Sequence, residues 1–171
     1  GIPTTDTLMQ DIIDNIKESS CYSNNNYGQN GINDDVFALL ALLSSGESSQ
    51  SQIILDIISD IQADQASSGA FTWAGSQSAD ITGAVINALK YAQSKGLSID
   101  SSSLTNAKTY LKNNQLSDGG WGVNSTDANS DPLVTSWAIM GINSLGESQD
   151  DWFKETKNPW HVLIENLNSS G

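Results

Sequence analysis

Gln65-Ala-Ser-Ser-Gly69-Ala-Phe71 and, about 50 residues later, Gln115-Leu-Ser-Asp-Gly119-Gly-Trp121 share one pattern. A glutamine is followed by a glycine at the fourth place on and by an aromatic ring two places after that. Self-similarity at a fixed period is the signature of a repeat architecture. Each copy is preceded at the same distance by an apolar residue, Ile61 or Leu111, and followed by a loop and an apolar helical segment. Those segments, Thr82-Gly-Ala-Val-Ile-Asn-Ala-Leu89 and Thr135-Ser-Trp-Ala-Ile-Met-Gly-Ile142, align without a gap on an earlier one, Asp35-Val-Phe-Ala-Leu-Leu-Ala-Leu42. The period divides a single helical-repeat domain, residues 1–171, into units at about 21–64, 65–114 and 115–171.

Each unit reads as two helices joined by a glycine-bearing turn, one polar on one face and one nearly apolar all round. The polar-faced helices are expected at Thr5–Ser19, Ser49–Asp64, Ser101–Asn114 and Pro159–Asn168. In the second, Ile53, Ile54, Ile57, Ile58 and Ile61 form an apolar stripe with Gln52, Asp56 and Asp60 opposite. The apolar helices, Asn33–Ser45, Asp80–Ser94 and Asp131–Leu145, have too little polar surface to face water and are expected as the inner layer. Asn33 and Asp131 suit the N-cap position, Pro132 the first helical position, and Gly46, Gly96 and Gly146 the helix ends. The pattern gives about seven helices and no strand, an all-α fold.

The chain has 171 residues and a net charge of -13, so a phosphate backbone is repelled from most of its surface and nucleic acid is not an expected partner. The longest apolar run, Val36 to Leu43, falls far short of the ~20 residues that a membrane-spanning helix needs. One cysteine, Cys21, rules out a disulfide framework or a CxxC redox pair. Charged residues are 16% of a chain rich in Ser and Asn, a polar, uncharged surface expected of an extracellular or cell-surface protein. Asn124-Ser125-Thr126 and Asn168-Ser169-Ser170 match the glycosylation triplet, which such a composition also produces by chance. No signal peptide is visible at Gly1. With Leu163 aligned on Leu111, Gly171 takes the place of Gly119, so a longer array is expected to continue the repeat, or a partner to cover its open inner face.

The stretch Tyr110-Leu111-x3-Gln115-x3-Gly119-x-Trp121 resembles the QW repeat of squalene and hopene cyclases, within the prenyltransferase and squalene-oxidase repeat superfamily of α/α toroids. The copy from Ile61 to Phe71 carries Phe in place of Trp. The copy ending at Gly171 has Leu167 where Gln is expected. The resemblance implies a partial toroid, since the family's complete ring has about six inner and six outer helices. It implies a structural role for Gln65, Gly69, Phe71, Gln115, Gly119 and Trp121, with each Gln amide bonding backbone groups at a helix end.

The chemistry of the superfamily is harder to place on these residues. Cyclases protonate an alkene with the middle Asp of D-x-D-D-T. Here Ile32-Asn33-Asp34-Asp35-Val36 leaves Asp34 in the acid's place, beside Asp35, without the first Asp or the Thr. Asn33, Asp34 and Asp35 also suit the positive end of a helix. Cys21 and His161 lie outside any zinc motif of the protein prenyltransferases, and Cys21-Tyr-Ser-Asn does not match the Cys-Gly-Glu-Gln of thioester domains. Asp127, Asn129 and Asp131 alternate as calcium ligands do, but Pro132 and Ala138 stand where an EF-hand needs Gly and Glu. Among the five Trp residues, Trp73, Trp121 and Trp137 are candidates, with Asp34, to line a ligand cavity, and Trp73 is the one expected in an exposed loop.

The residues thus point to a non-catalytic binding or display module without a cofactor, built on a terpenoid-cyclase-like scaffold, with self-association or a neighbouring domain as its partner. Two enzyme alternatives stand beside it: a fragment of a class II cyclase using Asp34, and a polysaccharide-active (α/α) barrel.

Overall fold

The computed structural model describes residues 5–18, 22–23, 26–27 and 32–170, with side chains at 5–18 and 32–167. Seven α-helices account for most of them: α1 (Thr7–Glu18), α2 (Asn33–Ser45), α3 (Gln52–Ala63), α4 (Ala79–Ser94), α5 (Ser101–Asn114), α6 (Pro132–Ser144) and α7 (Pro159–Ser170). The fold is all-α in its main elements. Three of the apolar segments become α2, α4 and α6, which pack side by side in that order, with α3, α5 and α7 against them respectively. One apolar core runs from Ile13 of α1 to Trp152, so the described elements share a single interior.

α4 and α6 run parallel and nearly touch at the backbone. A Cβ on Gly83 would stand 2.3 Å from the Trp137 carbonyl oxygen, and one on Gly141 would stand 2.8 Å from the Cα of Gly83. One turn further along both helices, Asn87 Nδ2 donates to Ser144 Oγ at 2.8 Å. Only glycine on both sides permits such an approach. It makes α4 the most enclosed helix, with Val85, Ile86, Ala88 and Leu89 fully buried. α2 and α6 are less enclosed than their composition predicts, since Phe37 and Leu133 stay exposed on them.

The two motif turns are built alike. Gln65 Nε2 donates to Gly69 O (2.9 Å) and to Ser103 O of α5 (2.9 Å). Gln115 Nε2 donates to Gly119 O (2.8 Å) and to Trp152 O (2.7 Å). The Phe71 and Trp121 backbone N–H groups donate to Thr82 Oγ1 (3.0 Å) and Thr135 Oγ1 (3.1 Å), equivalent positions of α4 and α6. Gly69 and Gly119 have φ of +90° and +95°, and a Cβ on either would strike the backbone of Asn106 or Asn158. Each motif therefore ties a turn to its own inner helix and to the segment that follows that helix. At the matching place in α2 stands Asp35, a carboxylate only 1% exposed.

Helix ends follow suit. The Glu47, Leu97 and Glu147 N–H groups, each just past a glycine, donate to Leu42, Ala92 and Ile142 O, one closing bond repeated at the ends of α2, α4 and α6. Asp131 caps α6 through Oδ1, which accepts from Leu133 N (2.8 Å) and Val134 N (3.0 Å). Asn33, in contrast, is the first residue inside α2 rather than its cap. Ile32 holds the cap position in helical geometry because its side chain is buried, 2% exposed, and Val36 N donates to its carbonyl.

The expectation of no strand is corrected. Tyr22–Ser23 (β1) pairs with Asn26–Tyr27 (β2), and Phe71–Trp73 (β3) pairs antiparallel with Ser76–Ser78 (β4). The second hairpin turns on Ala74 and Gly75, both with positive φ (48° and 82°), the two-residue geometry that matches strand twist. Phe-Thr-Trp before the turn favours extended backbone. A short 3-10 helix, Gln149–Trp152, precedes α7.

Candidate functional site

The β3–β4 hairpin, the first residues of α2 and α4, and the loop after Trp121 meet at one end of the central layer. Between them lies an open groove of about 420 Å³, with Trp73, Asn33, Gln77, Asp80, Ile81 and Asn124 in its walls. A recess of about 90 Å³ continues from the Asn33–Asp80–Ile81 side to Ala84 and Trp137. There the Phe37 and Trp137 rings meet edge to face, with centroids 6.0 Å apart. Ala84 occupies the position equivalent to Phe37 and Trp137 in the aligned segments, and its small side chain leaves room for the recess.

Local structure explains why Trp73 is available. Side chains alternate along a strand, so Phe71 and Trp73 share a face. Phe71 is fully buried where that face meets the core, and two residues on the hairpin has passed the end of the core, leaving Trp73 41% exposed. The carboxamides of Asn33, Gln77 and Asn124 make no hydrogen bond to another described residue, so each presents donors and an acceptor to the groove. Among the described residues, Asp80 is the only ionisable one in these walls. Its Oδ1 accepts from Ile81 N at 2.8 Å and from the Ser78 hydroxyl.

The other candidates are placed as follows. Trp137 lies at the recess. Trp121 does not line the groove: it is 1% exposed, its Nε1 donates to Leu111 O at 2.9 Å, and its ring meets Trp152 edge to face at 5.9 Å. The motif that places it also buries it. Asp34 is exposed and is absent from the groove walls, whereas Asp35 turns into the interior; neighbouring helical residues diverge by about 100°. The two carboxylates are therefore not brought together in a dry pocket.

Asp127 Oδ2 accepts from Asn124 N (2.9 Å), Asp131 caps α6, and Asn129 is exposed. Among the described residues, no three His, Cys, Asp or Glu gather as metal ligands would. His161 Nδ1 accepts from Asn158 N (3.2 Å) and its ring meets Phe153, which makes it a helix-start packing residue. Cys21 lies outside the described residues.

Sequence reasoning found Trp73 and Trp137 but not Gln77, Asp80 or Asn124 as walls, and assigned Asn33 to a cap. The repeat itself held the signal. Gln77 and Asn124 both lie in the segments that follow the two motifs, and equivalent segments open at the same end of parallel helices. No helix among the described residues is long and apolar enough to cross a membrane. Comparison of the chain with family models, with curated proteins and with solved structures finds no match.

Proposed function

We propose that the chain is a non-catalytic binding or display module of an extracellular or cell-surface protein, a partial toroid of helical hairpins with its ligand in the groove at Trp73. One observation carries the reading: a Trp held 41% exposed over a groove of about 420 Å³, a volume in the range of small-molecule sites. The parallel central helices and the duplicated Gln turns support a relation to the QW-repeat toroids. Among the described residues, Asp80 is the one ionisable group of the groove walls, and acid–base catalysis needs a partner group on the substrate's other side. Asp34 is exposed, which leaves a cyclase without the dry acid its chemistry needs.

A native mass spectrum of the gently purified chain tests this reading when taken beside that of Trp73→Ala. A small-molecule adduct on the wild type that is lost from the variant is the expected result. An adduct of equal abundance on both would move the site away from the groove.

A further inference from the structure

We infer that the groove takes a neutral carbohydrate, an uncharged oligosaccharide with one ring stacked on Trp73 and its hydroxyls on the surrounding amides. The inference rests on the reading of the groove as the ligand site and narrows it to a ligand class. Three features select that class.

The exposed indole offers an apolar plane, and the C–H face of a pyranose ring is the complementary surface on an otherwise polar molecule. Around that plane stand the carboxamides of Asn33, Gln77 and Asn124, none of them bonded to another described residue. An amide presents a donor and an acceptor side by side, as do adjacent hydroxyls of a sugar ring. An apolar chain in the same groove would bury these amides without partners, which costs free energy that a hydroxylated ligand does not incur.

Charge decides the rest. Among the described residues, the walls contain Asp80 and no Lys, Arg or His, on a chain of net charge -13. Uronates, sialylated or phosphorylated glycans would meet repulsion in the groove and across the surface. With Oδ1 of Asp80 engaged by Ile81 N and Ser78, its Oδ2 remains as an acceptor for a hydroxyl. The groove is open rather than enclosed and ends against the hairpin tip, which suits a segment of a longer chain that enters from solvent.

The test is a titration followed by the side-chain amide and indole signals in the proton–nitrogen spectrum, with four probes: cellotetraose, maltotetraose, tetragalacturonate and farnesol. The inference expects a neutral tetrasaccharide at millimolar concentration to shift the Trp73 indole and the Gln77 and Asn124 amides, with tetragalacturonate silent. Trp73→Ala should weaken that binding at least tenfold and Gln77→Ala severalfold, with melting unchanged in the second variant.

Equal response to tetragalacturonate would overturn the selection for neutral ligands. A response to farnesol with none to either neutral sugar would overturn the carbohydrate class and leave the groove as a ligand site. Silence of the Trp73 signal toward all four probes would overturn the inference, and the absence also of a Trp73-dependent adduct in the native mass spectrum would overturn the groove reading beneath it.

Discussion

Gln115 joins two segments with one amide, bonding Gly119 of its own turn and Trp152 of the segment after α6 from a buried position. Gln115→Ala would leave both carbonyls short of a partner in the interior, at a cost of about 2–4 kcal/mol. Gln65 makes the same pair of bonds but is half-buried, so water can replace it and Gln65→Ala should cost about half as much. Denaturant midpoints of the two variants check the order, and a larger loss at Gln65 would contradict it. Ala74 is a second test at this scale, because its φ of 48° disfavours a side chain. Ala74→Gly should stabilise by up to about 1 kcal/mol, the left-handed strain relieved less the added chain entropy of glycine. The spacing of Gln, Gly and ring made the motif legible in the sequence. The exposure of Trp73 in its loop was legible as well; the burial of Trp121 was not, because it depends on Trp152, which arrives from beyond α6.

Between elements, the approach of α4 to α6 is set by Gly83 and Gly141. Gly83→Ala would force the helices apart at Trp137 and should cost about 2–3 kcal/mol despite alanine's better helix propensity; a stabilised variant would refute the close contact. The loop after Trp121 is held by Asp118, whose Oδ2 accepts from Ser130 N at 2.9 Å. Burial works against that carboxylate, but the Ser130 and Gly120 N–H groups, the Ser130 hydroxyl and the charge of Lys157 outweigh it and hold its pKa below the usual value. A lowered folded pKa stabilises above the unfolded value of about 3.9, and the contribution is lost as pH falls through the folded value. Asp118→Ala should therefore be less stable than wild type by about 1–2 kcal/mol at pH 7, with the gap narrowing as pH falls below the unfolded value, as melts at descending pH would show. The helices were legible from apolar periodicity and caps, most closely at Ser101–Asn114. The β3–β4 hairpin was not, since its strands are three residues each, too short to show a period. Asn33 misled as a cap because the burial of Ile32 draws the helix back by one residue.

At the scale of the molecule, Phe153, Ile164 and Leu167 leave apolar surface exposed at the last unit, with Leu167 72% accessible. Self-association or a neighbouring domain at this end is part of the proposed role, and the net charge of -13 opposes the first of these at low salt. Light scattering should show growth in mass as salt rises to about 0.5 M and screens that repulsion. A mass independent of salt and protein concentration, up to high micromolar, would count against self-association. The apolar central helices were legible from the repeat, and so was the exposed Trp73 of the site. Its ligand was not, because the walls come from segments far apart in sequence whose side chains carry no reactive signature. The central claim, that the molecule binds through Trp73, is tested most directly by the shift in Tm that a library of uncharged small molecules produces on wild type and on Trp73→Ala. A ligand present at about 100 times its Kd stabilises the native state by about 2.7 kcal/mol. The account predicts ligands that raise the Tm of wild type and leave the variant unmoved; a library in which every stabilising compound acts equally on both would contradict it.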